Sequence, residues 1–303
     1  MAASPSTSPI VYFHVDACPR YLRYALESAR FFNPDSPIFL IADEKRALPA
    51  ALRVEVRTTA SLGSARLDAF EKSYVHISAT RERYERFCIA RWFYLEELRR
   101  TEGFARAAYF DSDAMLFHRV DDLFGLIPSH ALLACSKGVM PAVTLVQNAL
   151  APFLDMILGL YGDAAFLAER RARCEAAIAQ GGMDNVTDMS FFQLFTARTD
   201  GLGAIYPNTS ALGHIDHCIY ANPDGIDSAP NRRHISRKRI FWEDRDGVFR
   251  PRFRVEATGA MVPALSVHFQ GGAKRWMRRF NHVGGGFSVP RALRLRYYNW
   301  LLN

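Results

Sequence analysis

Cysteine is scarce in this chain of 303 residues, with five at Cys18, Cys88, Cys135, Cys174 and Cys218. They are scattered, odd in number and form no C-x-x-C pair, which excludes a zinc-finger or disulfide framework and predicts reduced, mostly buried thiols. Long apolar runs are missing as well. The best candidate, residues 149–168, is interrupted by Asp155 and Asp163, so it reads as a buried or amphipathic helix rather than a span of roughly twenty apolar residues. The opening MAASPSTSPIVYFHV has neither a basic n-region nor an apolar h-region, so a signal peptide is not expected and the expected address is cytoplasmic. Neither G-x-G-x-x-G nor a Walker loop occurs, which excludes phosphate binding through a glycine-rich turn at a helix start. Helix-turn-helix, RNP and zinc-finger patterns are also lacking, so no nucleic-acid partner is expected.

Apolar residues make up 49% of the chain, enough to fill a sizeable core. IVYFHV (10–15), IFLIAD (38–43) and LRVEVRT (52–58) read as strands, with an amphipathic helix over 20–32 between the first two. Strands alternating with helices predict a parallel sheet wound in βαβ units, with ligands at the carboxyl ends of the strands. A long helix is predicted over 84–100, further strands at LLACS and AVTLVQNA, helix over 152–179, and loops with short strands over 200–262. Without a linker or repeat, one domain with an elaborated second half is expected, divided at about 1–120 and 121–285 and followed by a basic aromatic tail at 286–303.

The strand-like run RAAYF ends in Asp111-Ser112-Asp113. Residues i and i+2 of a strand share a face, and a loop at a strand end can bring two side chains together equally well. Two carboxylates this close repel unless a cation lies between them or one is protonated. Mg²⁺ or Mn²⁺ suits carboxylate oxygen. About 155 residues later, HFQGGAKRW supplies His268, a possible nitrogen ligand, and Lys274, a point charge suited to phosphate. Gly271 and Gly272 let the backbone approach a bound group closely.

The pair DSD followed late in the chain by H-x-x-G-x-x-K-x-W, carried by His268, Gly271, Lys274 and Trp276, resembles the GT-A fold glycosyltransferases, most closely glycosyltransferase family 8. Arg275 stands where that family has proline. The resemblance implies an α/β GT-A fold, Rossmann-like, with a mixed and mainly parallel sheet flanked by helices. It implies an enzyme that moves a sugar from a nucleotide-sugar, a UDP-sugar by preference, to a glycan or glycolipid acceptor with retention. Mn²⁺ (or Mg²⁺) is then held by Asp111, Asp113 and His268. On the same resemblance Lys274 lies on the diphosphate, His14, Val15 and Asp16 lie at the uracil and ribose, Ser112 and Gly271 are further donor-binding residues, and 1–120 is the nucleotide-binding half with 121–285 the acceptor and metal-site half. Metal and lysine would stabilise charge on the departing nucleotide. Of Arg86 and Arg91 on the long helix, one, Arg86 by preference, is expected to reach the donor. The other is expected to pair with an acid such as Glu85 or Glu96. Asp188 is expected to line the sugar pocket or act as a base, while Thr187 or Asp188 caps a helix starting near Met189.

His214, Asp216 and His217 in GHIDHC are read as structural, and Gln147 and Asn148 as lesser pocket candidates. Lysine and arginine number thirteen over residues 231–280 against four acids, an excess of nine. With the aromatic tail, this suggests an anionic membrane surface at the inner face as a partner beside a solvated charged face. The rivals are a GT-A fold nucleotidyltransferase, for which HVDACPRYLR lacks the usual basic glycine-rich loop, and a non-catalytic protein that binds nucleotide or membrane on the same fold.

Overall fold

The computed structural model describes residues 7–136, 140–220, 224–230, 236–245 and 248–280. Its first part runs β1 (Ile10–Phe13), α1 (Arg20–Phe32), β2 (Ile38–Ala42), β3 (Val54–Thr58), α2 (Ala65–Ser73), α3 (Glu82–Glu102), β4 (Arg106–Asp111) and β5 (Ala114–Leu116). Then follow α4 (Val120–Leu123), β6 (Leu133–Ser136), β7 (Met140–Gln147), α5 (Ala151–Gly162), α6 (Ala164–Ala179), α7 (Asp188–Arg198) and β8 (Gly203–Tyr206). Short strands complete the described chain: β9 (His214–Ile215), β10 (Ser228–Pro230), β11 (Ser236–Lys238), β12 (Phe241–Arg245), β13 (Val248–Arg254) and β14 (Met261–His268), with α8 (Met277–Phe280) last. The basic tail at 286–303 lies outside the described residues.

Seven strands form one sheet in the order β3-β2-β1-β4-β7-β6-β8. The first four are parallel, β7 is antiparallel to both β4 and β6, and β6 is parallel to β8. The mixed, mainly parallel α/β sheet expected from the sequence is therefore present. Ile10 and Tyr12 enter one hydrophobic cluster and Val11 and Phe13 the other, since successive strand side chains project to opposite faces. Helix α1 covers the first face, and α3, α5 and α7 cover the second. A central strand buried on both sides reads as the unbroken apolar run seen at β1.

A second sheet, β12-β13-β14-β5, is antiparallel, with β9 alongside β14. The two sheets interleave in sequence: β5 follows β4 at once yet belongs to the second sheet. The strand thus does not continue through the acidic pair. It ends at Asp111, and a turn at Ser112 and Asp113 carries the chain from one sheet to the other.

Boundaries follow local chemistry. Helix α1 occupies 20–32 as predicted, and α3 stops at Gly103, whose φ of 71° supplies the left-handed residue that ends many helices. The helical stretch predicted over 152–179 is two helices bent by 79°. The break is Asp163, whose Oδ1 accepts from Ala165 N at 2.9 Å and Phe166 N at 3.1 Å and so caps α6 afresh. Helix α2 was not expected. It starts at Ser64, which accepts from Leu67 N, and buries only Leu67 and Phe70, too few apolar positions to mark a period. Among the described residues no single helix is long and apolar enough to cross a membrane.

Candidate metal centre

The site begins where β1 and β4 end side by side, with Phe13 in register with Asp111. On the far side of the turn, Ala114 pairs with His268, the last residue of β14, and Phe269 N donates to Asp113 O at 2.9 Å. Two strand ends and one backbone hydrogen bond thus bring together residues 155 apart in the chain. One ligand atom from each of Asp111, Asp113 and His268 lies within 4.8 Å of the others, the one such group of three among the described residues.

The orientation of each side chain is fixed from behind. Asp111 Oδ1 accepts from Arg91 Nη1 at 2.7 Å and from Tyr109 OH at 2.8 Å, which leaves Oδ2 facing His268 Nε2 at 3.9 Å. His268 Nδ1 lies 2.5 Å from His217 O. A carbonyl only accepts, so Nδ1 keeps its proton and the nitrogen able to offer a lone pair is Nε2, the one facing the carboxylates. Two carboxylates and an imidazole turned this way fit a hard divalent cation such as Mn²⁺ or Mg²⁺.

Asp113 Oδ1 lies 3.1 Å from His268 Nε2, and its Oδ2 lies 3.1 Å from Lys274 Nζ. Burial alone would raise the Asp113 carboxyl, but His268 and Lys274 hold it below the ordinary range. Burial alone would lower His268, yet Asp113 and Asp111 push it up to about 9. Lys274 also stands over the Tyr21 ring, 4.9 Å from its centre. Gly271, with φ 60°, opens the short turn to Trp276 that presents this lysine.

The loop after β1 lies against the same turn. His14 Nε2 donates to Ala17 O at 3.2 Å, so in the neutral ring Nδ1 accepts from Ser112 Oγ at 3.1 Å. Val15 packs on the second hydrophobic cluster. Asp16 adopts φ 68°, an uncommon conformation for a residue with a side chain. Its N–H donates to Asp43 Oδ2 at 2.8 Å, its carbonyl accepts from Arg46, and its carboxylate pairs with Arg83 at 2.5 Å. The candidates after β1 and β4 therefore gather with those after β14, at the strand ends where the sheet topology predicts a ligand.

The helix arginines come out the other way round from the expectation. Arg86 lies 3.6 Å from Glu71, 40% exposed, whereas Arg91 reaches the site. Nor does Arg91 choose Glu85 or Glu96: it bridges Asp111 and Asp188, donating to Asp188 Oδ2 through both Nε and Nη2. Its guanidinium stands 5.1 Å from the centres of both the Trp92 and Tyr109 rings. Asp188 is the first residue of α7, with Thr187 as the cap, and is buried. Its Oδ2 also accepts from Trp92 Nε1 at 3.3 Å and its Oδ1 from Met189 N at 2.9 Å. Burial raises the Asp188 carboxyl and Arg91 offsets part of that rise. The side chain is the buried counterion behind Arg91 rather than an exposed group.

Gln147 and Asn148 stand elsewhere. Because β7 runs antiparallel to β4, Gln147 pairs with Arg106 at the start of β4, the opposite end from Asp111, and its amide donates to Pro128 O and Ala131 O. His214, Asp216 and His217, read as structural, make contacts within the protein. His214 lies 2.8 Å from Thr209 Oγ1 and edge-on to Phe253, and Asp216 pairs with buried Lys238. Sequence reading missed Tyr109 and Lys238. Tyr109 was legible, being two residues before Asp111 on the same strand face; Lys238 is one basic residue within a basic run and carries no local mark.

No protein-family model matches the chain, and no curated protein sequence does. Solved structures similar to it include the apo form of mouse xyloside xylosyltransferase 1, with 14% identity over 67% of this chain and 86% of that one, at a TM-score of 0.45. Another is the galactosyltransferase LgtC with donor and acceptor sugar analogues, with 13% identity over 97% of this chain and 96% of that one, at 0.43. A third is the glycosyltransferase GlyE of Streptococcus pneumoniae TIGR4, with 14% identity over 66% of this chain and 45% of that one, at 0.33.

Proposed function

We propose that the chain is a metal-dependent glycosyltransferase of GT-A type that takes a sugar from a nucleotide-sugar, a UDP-sugar by preference, and passes it to a glycan or glycolipid acceptor. The observation that carries this reading is the convergence of Asp111, Asp113 and His268 within 4.8 Å, with Lys274 on Asp113, at the carboxyl ends of the central strands. Asp111 Oδ2, Asp113 and His268 Nε2 would hold Mn²⁺ or Mg²⁺. When bound, such an ion supplies Lewis-acid stabilisation of charge on a departing diphosphate.

The chain's own residues do the rest. Lys274, 35% exposed on a turn opened by Gly271, is placed to offer its ammonium to a phosphate oxygen as well as to Asp113. His14 and Ser112 couple the loop after β1 to the acidic turn, so a nucleoside held against His14–Asp16 would be registered to the phosphate end of the site. Arg91 fixes which oxygen of Asp111 faces His268. Asp188, with its carboxylate taken by Arg91, Trp92 and a backbone N–H, is not free to accept a proton from an acceptor. That speaks against Asp188 as the base of an inverting transfer, and retention is proposed on the resemblance.

Isothermal titration with UDP and several UDP-sugars, with and without Mn²⁺, tests the reading on the wild-type chain and on Asp113→Ala. Nucleotide binding that requires Mn²⁺ and is lost in the variant is the expected result. Absence of nucleotide binding with the ion present would sink the proposal.

A further inference from the structure

Behind His268 lies a group of charges that the reaction does not touch. Lys238 Nζ lies 2.7 Å from Asp216 Oδ1, and both side chains are fully buried. The same ammonium lies 2.9 Å from Asp224 Oδ2, which in turn lies 2.9 Å from His217 Nδ1. Two contacts then lead forward from this group to the imidazole. Asp216 Oδ2 accepts from the backbone N of His268 at 3.1 Å, and the carbonyl of His217 accepts from His268 Nδ1 at 2.5 Å. Backbone bonds follow the same route, from Lys238 N to Ile219 O and from Ile219 N to His268 O.

We propose that Lys238 is a positioning residue of the metal centre: by clamping Asp216 and Asp224 it sets both the height of His268 on β14 and the direction of its ring. This inference rests on reading Asp111, Asp113 and His268 as an ion site. Asp216 holds the main chain of the ligand, and Asp224 together with Asn208, whose Nδ2 is also 2.9 Å from His217 Nδ1, holds the residue whose carbonyl orients the ring, so one cation bears on both constraints. Stability alone is a poor reason for such a group, since replacing a buried ion pair with apolar side chains of like volume is often neutral or stabilising. Geometry is the better reason. Groups that orient a ligating imidazole typically change metal affinity by roughly 10–100-fold when removed.

The test uses the full chain and Mn²⁺ alone, with free Mn²⁺ followed by its electron paramagnetic resonance signal during titration. Wild type, Lys238→Met, Asp224→Asn and Asp113→Asn are compared well below their melting temperatures, with folding verified by circular dichroism. Binding weakened roughly tenfold or more in Lys238→Met, and several-fold in Asp224→Asn, supports the inference. Should Lys238→Met fail to fold, Asp224→Asn decides alone, because that carboxylate lies nearer the surface and its amide keeps a hydrogen-bonding oxygen. A lower melting temperature with Mn²⁺ affinity within twofold of wild type in the folded variants would mean a merely structural role and overturn it. Wild-type protein that binds Mn²⁺ no better than Asp113→Asn would instead remove the ion site, and the inference would fall with it.

Discussion

Replacing Arg91 by methionine removes a cation whose side chain is 10% exposed from between Asp188, 5% exposed, and Asp111, 23% exposed. Breaking a buried pair from one side leaves an uncompensated charge and costs about 3–5 kcal/mol. Loss of the guanidinium over Trp92 and Tyr109 adds about 1 kcal/mol. Against a typical domain stability of about 5–15 kcal/mol, Arg91→Met should still fold, with a much reduced denaturation midpoint. The deficit should depend on pH with a definite sign. Burial already raises the Asp188 carboxyl, and without Arg91 nothing of comparable strength opposes that rise. A carboxyl whose folded value lies above its unfolded one contributes stability below the unfolded value and loses it as pH rises through the folded value. The gap between wild type and variant should therefore shrink on acidification, by at most about 1.4 kcal/mol per pH unit. Urea unfolding at pH 7.5 and pH 5, followed by tryptophan fluorescence, measures this. The double variant Arg91→Met/Asp188→Asn should recover most of the loss, because the charge left unpaired is gone. A deficit below about 1 kcal/mol, or one equal at both pH values and unrelieved by the second substitution, would refute the reasoning.

His214, fully buried against Phe253, is lowered by burial to about 4 from 6.5. The unfolded chain then takes up a proton that the folded chain refuses, so stability present above pH 6.5 falls by about 2 kcal/mol by pH 5. Denaturant unfolding across this range should show a shallower pH dependence in His214→Phe, and an unchanged slope would count against the assignment. At Gly213, φ is 149° and an added Cβ would meet Pro263 O at 2.5 Å. Gly213→Ala should lose about 2 kcal/mol or more by the same unfolding assay, and a loss under 0.5 kcal/mol would contradict so close an approach to β14.

How legible the molecule was depended on whether a feature had a local signature. Strands β1 and β2 and helix α1 were placed within a few residues because apolar runs and helical spacing are written locally. Asp111, Asp113, His268 and Lys274 were singled out because their residue types suit one ion and one phosphate and their two motifs resemble a known family, and the structure brings the four together. The change of sheet at Ser112 was not legible: an apolar run on each side of DSD looks the same whether the strand continues or turns. The choice between Arg86 and Arg91 failed for a related reason. Both lie on α3, and only the position of Asp188 on α7, fixed by tertiary packing, makes Arg91 the bridging one. The break at Asp163 carried its cap in plain view but was overridden by the helical character on both sides.

The pairing of β14 with β5 also places the site in time. Asp111 ends β4 and Asp113 lies in the turn to β5, both synthesised early, while His268 arrives with the last strand of the second sheet. Contacts this far apart in sequence form late, because the loop between them must be closed before they give any return. A chain stalled or cut before β14 would own the two acids without His268. On the proposed reading, capacity to hold an ion would then require β14 to be in place.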